Sequence, residues 1–151
     1  RNQRIHIAWP QRKETKYMSG LVLKLGPRER VLINGAVIEN GDRRSRLSIV
    51  TPNANILRLR DAIHPEDAST PVRRICYTAQ LVLTGDENAD EARPKLLRNI
   101  EELSRILTDP DSRKLLTIST EALLGDQYYQ CLKALRALIP REDRLLTASQ
   151  Q

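Results

Sequence analysis

The sequence predicts an α+β fold, a small N-terminal antiparallel β-meander or barrel module followed by a four-helix segment. Three observations predict it. Short apolar runs separated by turn-forming residues fill residues 21–60, as β-strands and hairpins require. After residue 60 the apolar period changes from two to about 3.6, the helical value. The charge divides at the same place: residues 1–60 hold 13 Lys/Arg against 4 Asp/Glu, a net of +9, and residues 61–151 hold 12 against 15, a net of −3. At 151 residues and 40% apolar content the chain can bury one full core or two small ones.

Residues 1–17 differ from the rest of the chain. They carry its Trp, five basic residues and one acid without any sustained period, and Met18-Ser19-Gly20 then opens onto the first strand. They are expected to be a leader outside the native fold, with Met18 as the natural start. A basic arm, or an edge strand at residues 5–9, is the alternative. The expected organisation is therefore leader 1–17, basic β-module 18–60, linker 61–70 and helical bundle 71–151.

Within the β-module, Gly26-Pro27, Asn34-Gly35, Asn40-Gly41 and Pro52-Asn53 mark the turns. Asn34-Gly35 between two apolar runs is a two-residue hairpin signal, because both residues tolerate the positive φ of a type I′ turn. Arg28 and Arg30, Arg44 and Arg46, and Arg58 and Arg60 form three Arg-x-Arg pairs. Residues two apart on a strand share a face, about 7 Å apart, so each pair is expected to project together. Val31, Ile33, Leu47, Ile49, Leu57 and Leu59 fall on the other parity and are expected in the core. If the strands are neighbours, one sheet face is an arginine surface, with Arg43 beside it. A solvated or edge-protecting surface is the plain alternative. The concentration of arginine in a region poor in acids favours nucleic acid, since the planar guanidinium pairs with phosphate through two hydrogen bonds. Residues 18–60 contain no aromatic side chain, so binding there is expected to be phosphate-led and salt-sensitive rather than built on stacked bases.

The helices follow in order. Thr70-Pro71 reads as an N-cap with Pro at the first helical position, opening a helix with Val72, Ile75, Ala79, Val82 and Leu83 on one stripe and Gly85 at its end. The acidic stretch 86–94 is expected to be a loop into a second helix carrying Leu96, Ile100, Leu103 and Leu107. Asp109-Pro110 starts a third, with Leu115, Leu116, Ser119, Ala122 and Leu123 inward and Gly125 closing it. Asp126 is expected to cap a fourth, with Tyr128, Cys131, Leu132, Leu135, Leu138 and Ile139 inward and Pro140 ending or kinking it. The Tyr128-Tyr129 pair is assigned to core or interface packing, and Cys76 and Cys131 to reduced core thiols.

Neither a Gly-rich phosphate loop nor a nucleophile motif is present, and no His or Cys stands at metal-ligand spacing. No enzymatic activity, metal or cofactor is expected. No apolar run approaches a membrane span and no signal-peptide pattern opens the chain, so a cytoplasmic location without membrane association is expected.

Three blocks carry a resemblance: LKLGPRERVLINGAVIENGDRRSRLSI, then ILRLRDAIHPEDASTPVRRICYTAQL, then GDQYYQCLKALRALIPRE. In this order they resemble the FlbT family of bacterial flagellum biosynthesis repressors, over about residues 21–146. The resemblance implies a post-transcriptional regulator that associates with the 5′ untranslated leader of flagellin mRNA and blocks its translation or promotes its degradation. The family's basic β-region falls here on Arg28, Arg30, Arg43, Arg44, Arg46, Arg58 and Arg60, the RNA-binding candidates by chemistry as well. A second reading is a protein-interaction module whose partner is flagellin, a secretion adaptor or another flagellar regulatory protein. An exposed strand edge leaves a homodimer open.

Overall fold

The computed structural model describes residues 21–149, and the expected leader 1–17 lies outside them. Five strands come first: β1 (Leu21–Leu25), β2 (Arg30–Ile33), β3 (Ala36–Glu39), β4 (Ser45–Ile49) and β5 (Ile56–Arg58). Two 3₁₀ turns, Leu59–Asp61 and Pro65–Asp67, lead to α1 (Pro71–Leu83), α2 (Ala89–Ile106), α3 (Pro110–Leu124), α4 (Tyr128–Arg136) and α5 (Ile139–Ser149). The α+β class is as expected.

The strand order is not that of a meander, and the module is not a closed barrel. β1 pairs antiparallel with β4, and a separate sheet has the order β3-β2-β5. The expected hairpin is present: Asn34 and Gly35 take φ values of 47° and 86° and place Ile33 opposite Ala36. This is the left-handed conformation that Asn and Gly tolerate best.

The three-stranded sheet is apolar on both faces, and this property governs the site. Val31, Ile33 and Ile56 turn to one side, where they form a small core with Leu23, Leu25, Leu47 and Ile49 of the other sheet. Leu32 and Leu57, directly opposite each other across β2 and β5, turn to the other side and join the helical core. Leu57 is 2% exposed. Burying a leucine side chain fully contributes about 1.5–3 kcal/mol relative to leaving it in water. Leu59, expected inside, is exposed because the chain leaves the strand for a 3₁₀ turn at that residue, which breaks the alternation.

The predicted helical stripes are the buried ones. Val72, Ile75, Ala79, Val82 and Leu83 of α1 pack with Leu96, Ile100 and Leu103 of α2, Leu116 and Leu123 of α3, and Cys131, Leu132 and Leu135 of α4. Thr70 Oγ1 accepts from the Arg73 N–H at 3.3 Å, closing the N-terminus of α1. Gly85, at φ 85°, ends it: the Gly85 N–H donates to Val82 O and the Asp86 N–H to Leu81 O, the paired bonds of a Schellman motif. Gln80 is buried in α1, donating to Ile63 O at 3.0 Å and accepting from the Ile63 N–H at 2.7 Å, which fixes residues 61–70 against the helix.

Two local expectations change. The acidic stretch is not a loop throughout, since α2 begins at Ala89 and carries Pro94 inside it. Asn88 accepts from the N–H groups of Asp90 and Glu91, an N-cap strong enough to start the helix there, and Ala92 is fully buried. Asp126 does not cap the fourth helix: it sits at φ 59°, its carboxylate pairs with Arg93, and Gln127 is the residue before the helix. The fourth helical segment is broken at residues 137–138 into α4 and α5, the kink that Pro140 foretold.

Candidate nucleic-acid interface

The seven arginines do not form one sheet face. Arg30 has the parity of Leu32 and pairs across the sheet with Glu39, whereas Arg58 lies opposite Val31 and therefore on the other face. Arg28 stands before β2 at φ 61° and Arg60 lies in the first 3₁₀ turn, so neither follows strand alternation. β2 and β5 send apolar side chains into a core on either face, so these two strands offer no single outer face to collect the arginines.

Two subsets result. Arg28 and Arg30 converge on one carboxylate: Arg28 Nη1 lies 3.1 Å from Glu39 Oε2 and Arg30 Nε 2.9 Å from Oε1, with Asp42 a further 2.9 Å partner of Arg28. The hydrogen bonds from Arg30 and then Arg28 hold the Glu39 carboxyl below its ordinary range. This cluster is largely self-neutralised. Arg43 is exposed on the connecting loop, its carbonyl accepting from Asn40 Nδ2 at 2.9 Å.

The second subset lines a groove of about 560 Å³ formed by Lys24, Leu25, Gly26, Arg44, Ser45, Arg46, Arg58 and Arg60. Strand pairing supplies half of it: Lys24 of β1 and Arg46 of β4 are direct cross-strand partners, on the parity opposite to the buried Leu23, Leu25 and Leu47. Asn40 shapes the loop that delivers Arg44, donating to Gly26 O at 2.7 Å and accepting from Ser45 Oγ at 2.7 Å. Arg58 forms the floor. Its side chain is 11% exposed, Nη2 donates to Lys24 O at 2.9 Å, and Nη1 meets Glu29 Oε2 at 3.3 Å. Glu29, itself 8% exposed at the side chain, also accepts from the Gly26 N–H at 3.0 Å and stands 3.6 Å from Arg60 Nε.

Burial of Arg58 beside one shared carboxylate makes it a structural cation. Arg60 is 62% exposed at the side chain and presents its charge outward. Among the described residues Lys24, Arg44 and Arg46 have no ion-pair partner. The groove therefore offers four accessible cations, Lys24 and Arg46 on paired strands, Arg44 on the loop before β4 and Arg60 in the turn after β5. Guanidinium and ammonium groups placed this way are chemically suited to pairing with phosphate, and among the described residues no His/Cys/Asp/Glu cluster suits a metal.

Sequence reasoning does not single out Lys24 or Glu29, and it reads Asn40 only as a turn former. Lys24 sits in an apolar run, and only the register of β1 against β4 brings it to Arg46. The tyrosines behave as assigned: Tyr128 is buried with its hydroxyl donating to Ala89 O at 2.9 Å, and Tyr129 packs against the β-core.

With the geometry in place, comparison with known proteins is decisive on family. The profile described as "Flagellar protein FlbT" matches residues 21–146. The chain belongs to the FlbT family. A protein of Chelativorans sp. (strain BNC1), named a probable flagellum biosynthesis repressor protein FlbT, is 36% identical over 131 residues, covering 85% of this chain and 86% of its own. A protein of the same name from Caulobacter sp. (strain K31) is 30% identical over 83% of this chain and 95% of its own. The flagellum biosynthesis repressor protein FlbT of Caulobacter vibrioides (strain ATCC 19089 / CIP 103742 / CB 15) is 29% identical over 83% of this chain and 89% of its own. No solved structure matches the chain. In this FlbT-family protein no helix among the described residues is long and apolar enough to cross a membrane.

Proposed function

We propose that this protein is a post-transcriptional repressor of flagellum biogenesis that binds the 5′ untranslated leader of flagellin mRNA through the Lys24–Arg46 groove and lowers the message's translation or lifetime. The family relationship supports the flagellar and regulatory part of this reading, the relatives being named biosynthesis repressors. The observation that carries the RNA part is the convergence of Lys24, Arg44, Arg46 and Arg60 around one groove, the first three without carboxylate partners among the described residues. Such a site neutralises backbone phosphate and releases counterions, so affinity falls steeply with salt. Arg28, Arg30 and Arg43 act outside this groove, the first two already occupied by Glu39 and Asp42.

A salt titration tests the reading. Binding of a flagellin leader RNA is compared for the unsubstituted protein and for Arg44→Ala with Arg46→Ala. The expected result is weaker binding and a log–log salt slope reduced by about 0.7–0.9 per lost phosphate contact. Unchanged affinity and slope would overturn it.

A further inference from the structure

A second hollow, of about 260 Å³, lies where β5 meets α4, lined by Leu57, Arg58, Arg60, Asp61, Tyr129, Leu132, Lys133 and Arg136. It shares Arg58 and Arg60 with the groove, so the two concavities abut along the end of β5 and the turn after it. Both are lined by cations, the hollow by Arg58, Arg60, Lys133 and Arg136, but the hollow adds the side chains of Leu57 and Leu132 and the partly buried ring of Tyr129, an aromatic surface that the groove lacks. Arg136 builds its wall, donating to Asp61 O at 2.8 Å with its second nitrogen 3.5 Å from Asp61 Oδ1. Lys133, one turn earlier on α4, is exposed and has no ion-pair partner among the described residues.

From this juxtaposition we infer that the site takes an unpaired RNA segment running off the β-sheet onto α4. Its phosphates lie along Lys24, Arg44, Arg46 and Arg60, one base turns into the hollow against Tyr129, and Lys133 holds the phosphate beyond it. The volume of the hollow is below the roughly 300–1,000 Å³ of pockets that enclose whole drug-sized ligands, which suits a single base. A base can enter only if it is unpaired, because in an A-form duplex the bases are stacked and paired inside the helix. Stacking on one aromatic face tolerates any base, so the hollow selects unpaired RNA rather than a sequence. Lys133 is 73 residues from Arg60, and no local pattern in the sequence links them.

This inference rests on the RNA-binding reading, and its test separates the two. Lys133→Gln, an exposed substitution outside the cores, is compared with Arg44→Ala/Arg46→Ala on an unpaired RNA and on a fully paired hairpin of equal length, each across a range of salt. The expected results are tighter binding of the unpaired RNA, and for Lys133→Gln a loss of roughly three- to tenfold on it with a slope smaller by about 0.7. If Lys133→Gln binds unpaired RNA as the unsubstituted protein does while the double-arginine variant fails, the track onto α4 is overturned and the groove reading stands. Equal binding of hairpin and unpaired RNA also overturns the inference. No RNA binding by the unsubstituted protein overturns the groove reading and the track together.

Discussion

Lys24 and Arg46 face each other directly across β1 and β4, two cations in register on an exposed sheet surface with no carboxylate partner among the described residues. Like charges in directly opposed positions oppose pairing by roughly 0.2–1 kcal/mol before screening by salt. A protein that keeps such a pair carries a local cost that a bound polyanion removes. Lys24→Gln is therefore expected to raise the thermal midpoint slightly while weakening binding of RNA. Opposite signs in thermal melts and binding titrations of the same variant are the expected outcome; a parallel fall in both would assign Lys24 to stability instead.

The two arginines at the end of β5 are expected to separate cleanly. Arg58 is largely buried against Glu29, and removing one member of such a hydrogen-bonded ion pair costs up to the roughly 3–5 kcal/mol of a fully buried one. Arg58→Ala should therefore lower the urea midpoint strongly, and Glu29→Ala should do the same by stranding Arg58. Arg60, exposed and 3.6 Å from Glu29, should leave stability nearly unchanged when replaced by Ala and should instead reduce the salt dependence of RNA binding.

Glu142 of α5 is buried at the head of α1, its Oε2 accepting from the Val72 N–H at 2.8 Å across 70 residues of sequence. Beside it the Arg73 guanidinium grips Asp143 at 2.7 and 3.0 Å. Glu142→Ala leaves a buried backbone donor unsatisfied at a helix N-terminus and is expected to cost about 1–3 kcal/mol. Glu142→Gln, which keeps an acceptor, should recover most of that loss in chemical denaturation.

The hydrogen bonds from Arg73 hold the Asp143 carboxyl below its ordinary range. A lowered folded-state pKa stabilises the native state above the unfolded value, 3.8, and that contribution fades as pH falls through the folded one. Asp143→Asn should accordingly lower stability a little above about pH 4, where the contribution is present, and leave it unchanged at the acid end, so that the acid limb flattens; the loss is small because Asp143 is half exposed and screened by solvent.

Burial pushes the thiols of Cys76 and Cys131 up to about 12. Both should resist alkylation in the native protein at pH 8 and react once denaturant opens the core. Above the ordinary thiol value of 9.0 the unfolded chain releases protons that the native one keeps, so stability should fall from there toward pH 12. Replacing both with Ala should reduce that fall.

The helical part was legible in the sequence almost residue by residue. Its stripes repeat every three or four positions, its starts carry Thr70-Pro71 and Asp109-Pro110, and a capping hydroxyl or carboxylate acts within one turn of its own chain. The hairpin at Asn34-Gly35 was legible for the same reason, since a turn is a local conformational demand. The cap at Asn88 and the early start of α2 were missed because an acidic, proline-containing stretch reads equally well as a loop until Ala92 is seen to be buried.

Residue order was enough to establish that a basic strand region precedes an amphipathic helical one, which residues form the helical core, and to which family the chain is similar. Which cations act together was settled only in three dimensions. Alternation assigns a strand residue to one of two faces but does not say which face is solvent, and β2 and β5 are covered on both. That circumstance places Arg58 against Glu29, while the register of the β2–β3 hairpin sets Arg30 opposite Glu39. The register of β1 against β4 brings Lys24 to Arg46, and the meeting of β5 with α4 sets Lys133 in one hollow with Arg58 and Arg60. Strand pairing and helix packing join residues far apart in the chain, and no local pattern encodes which ones.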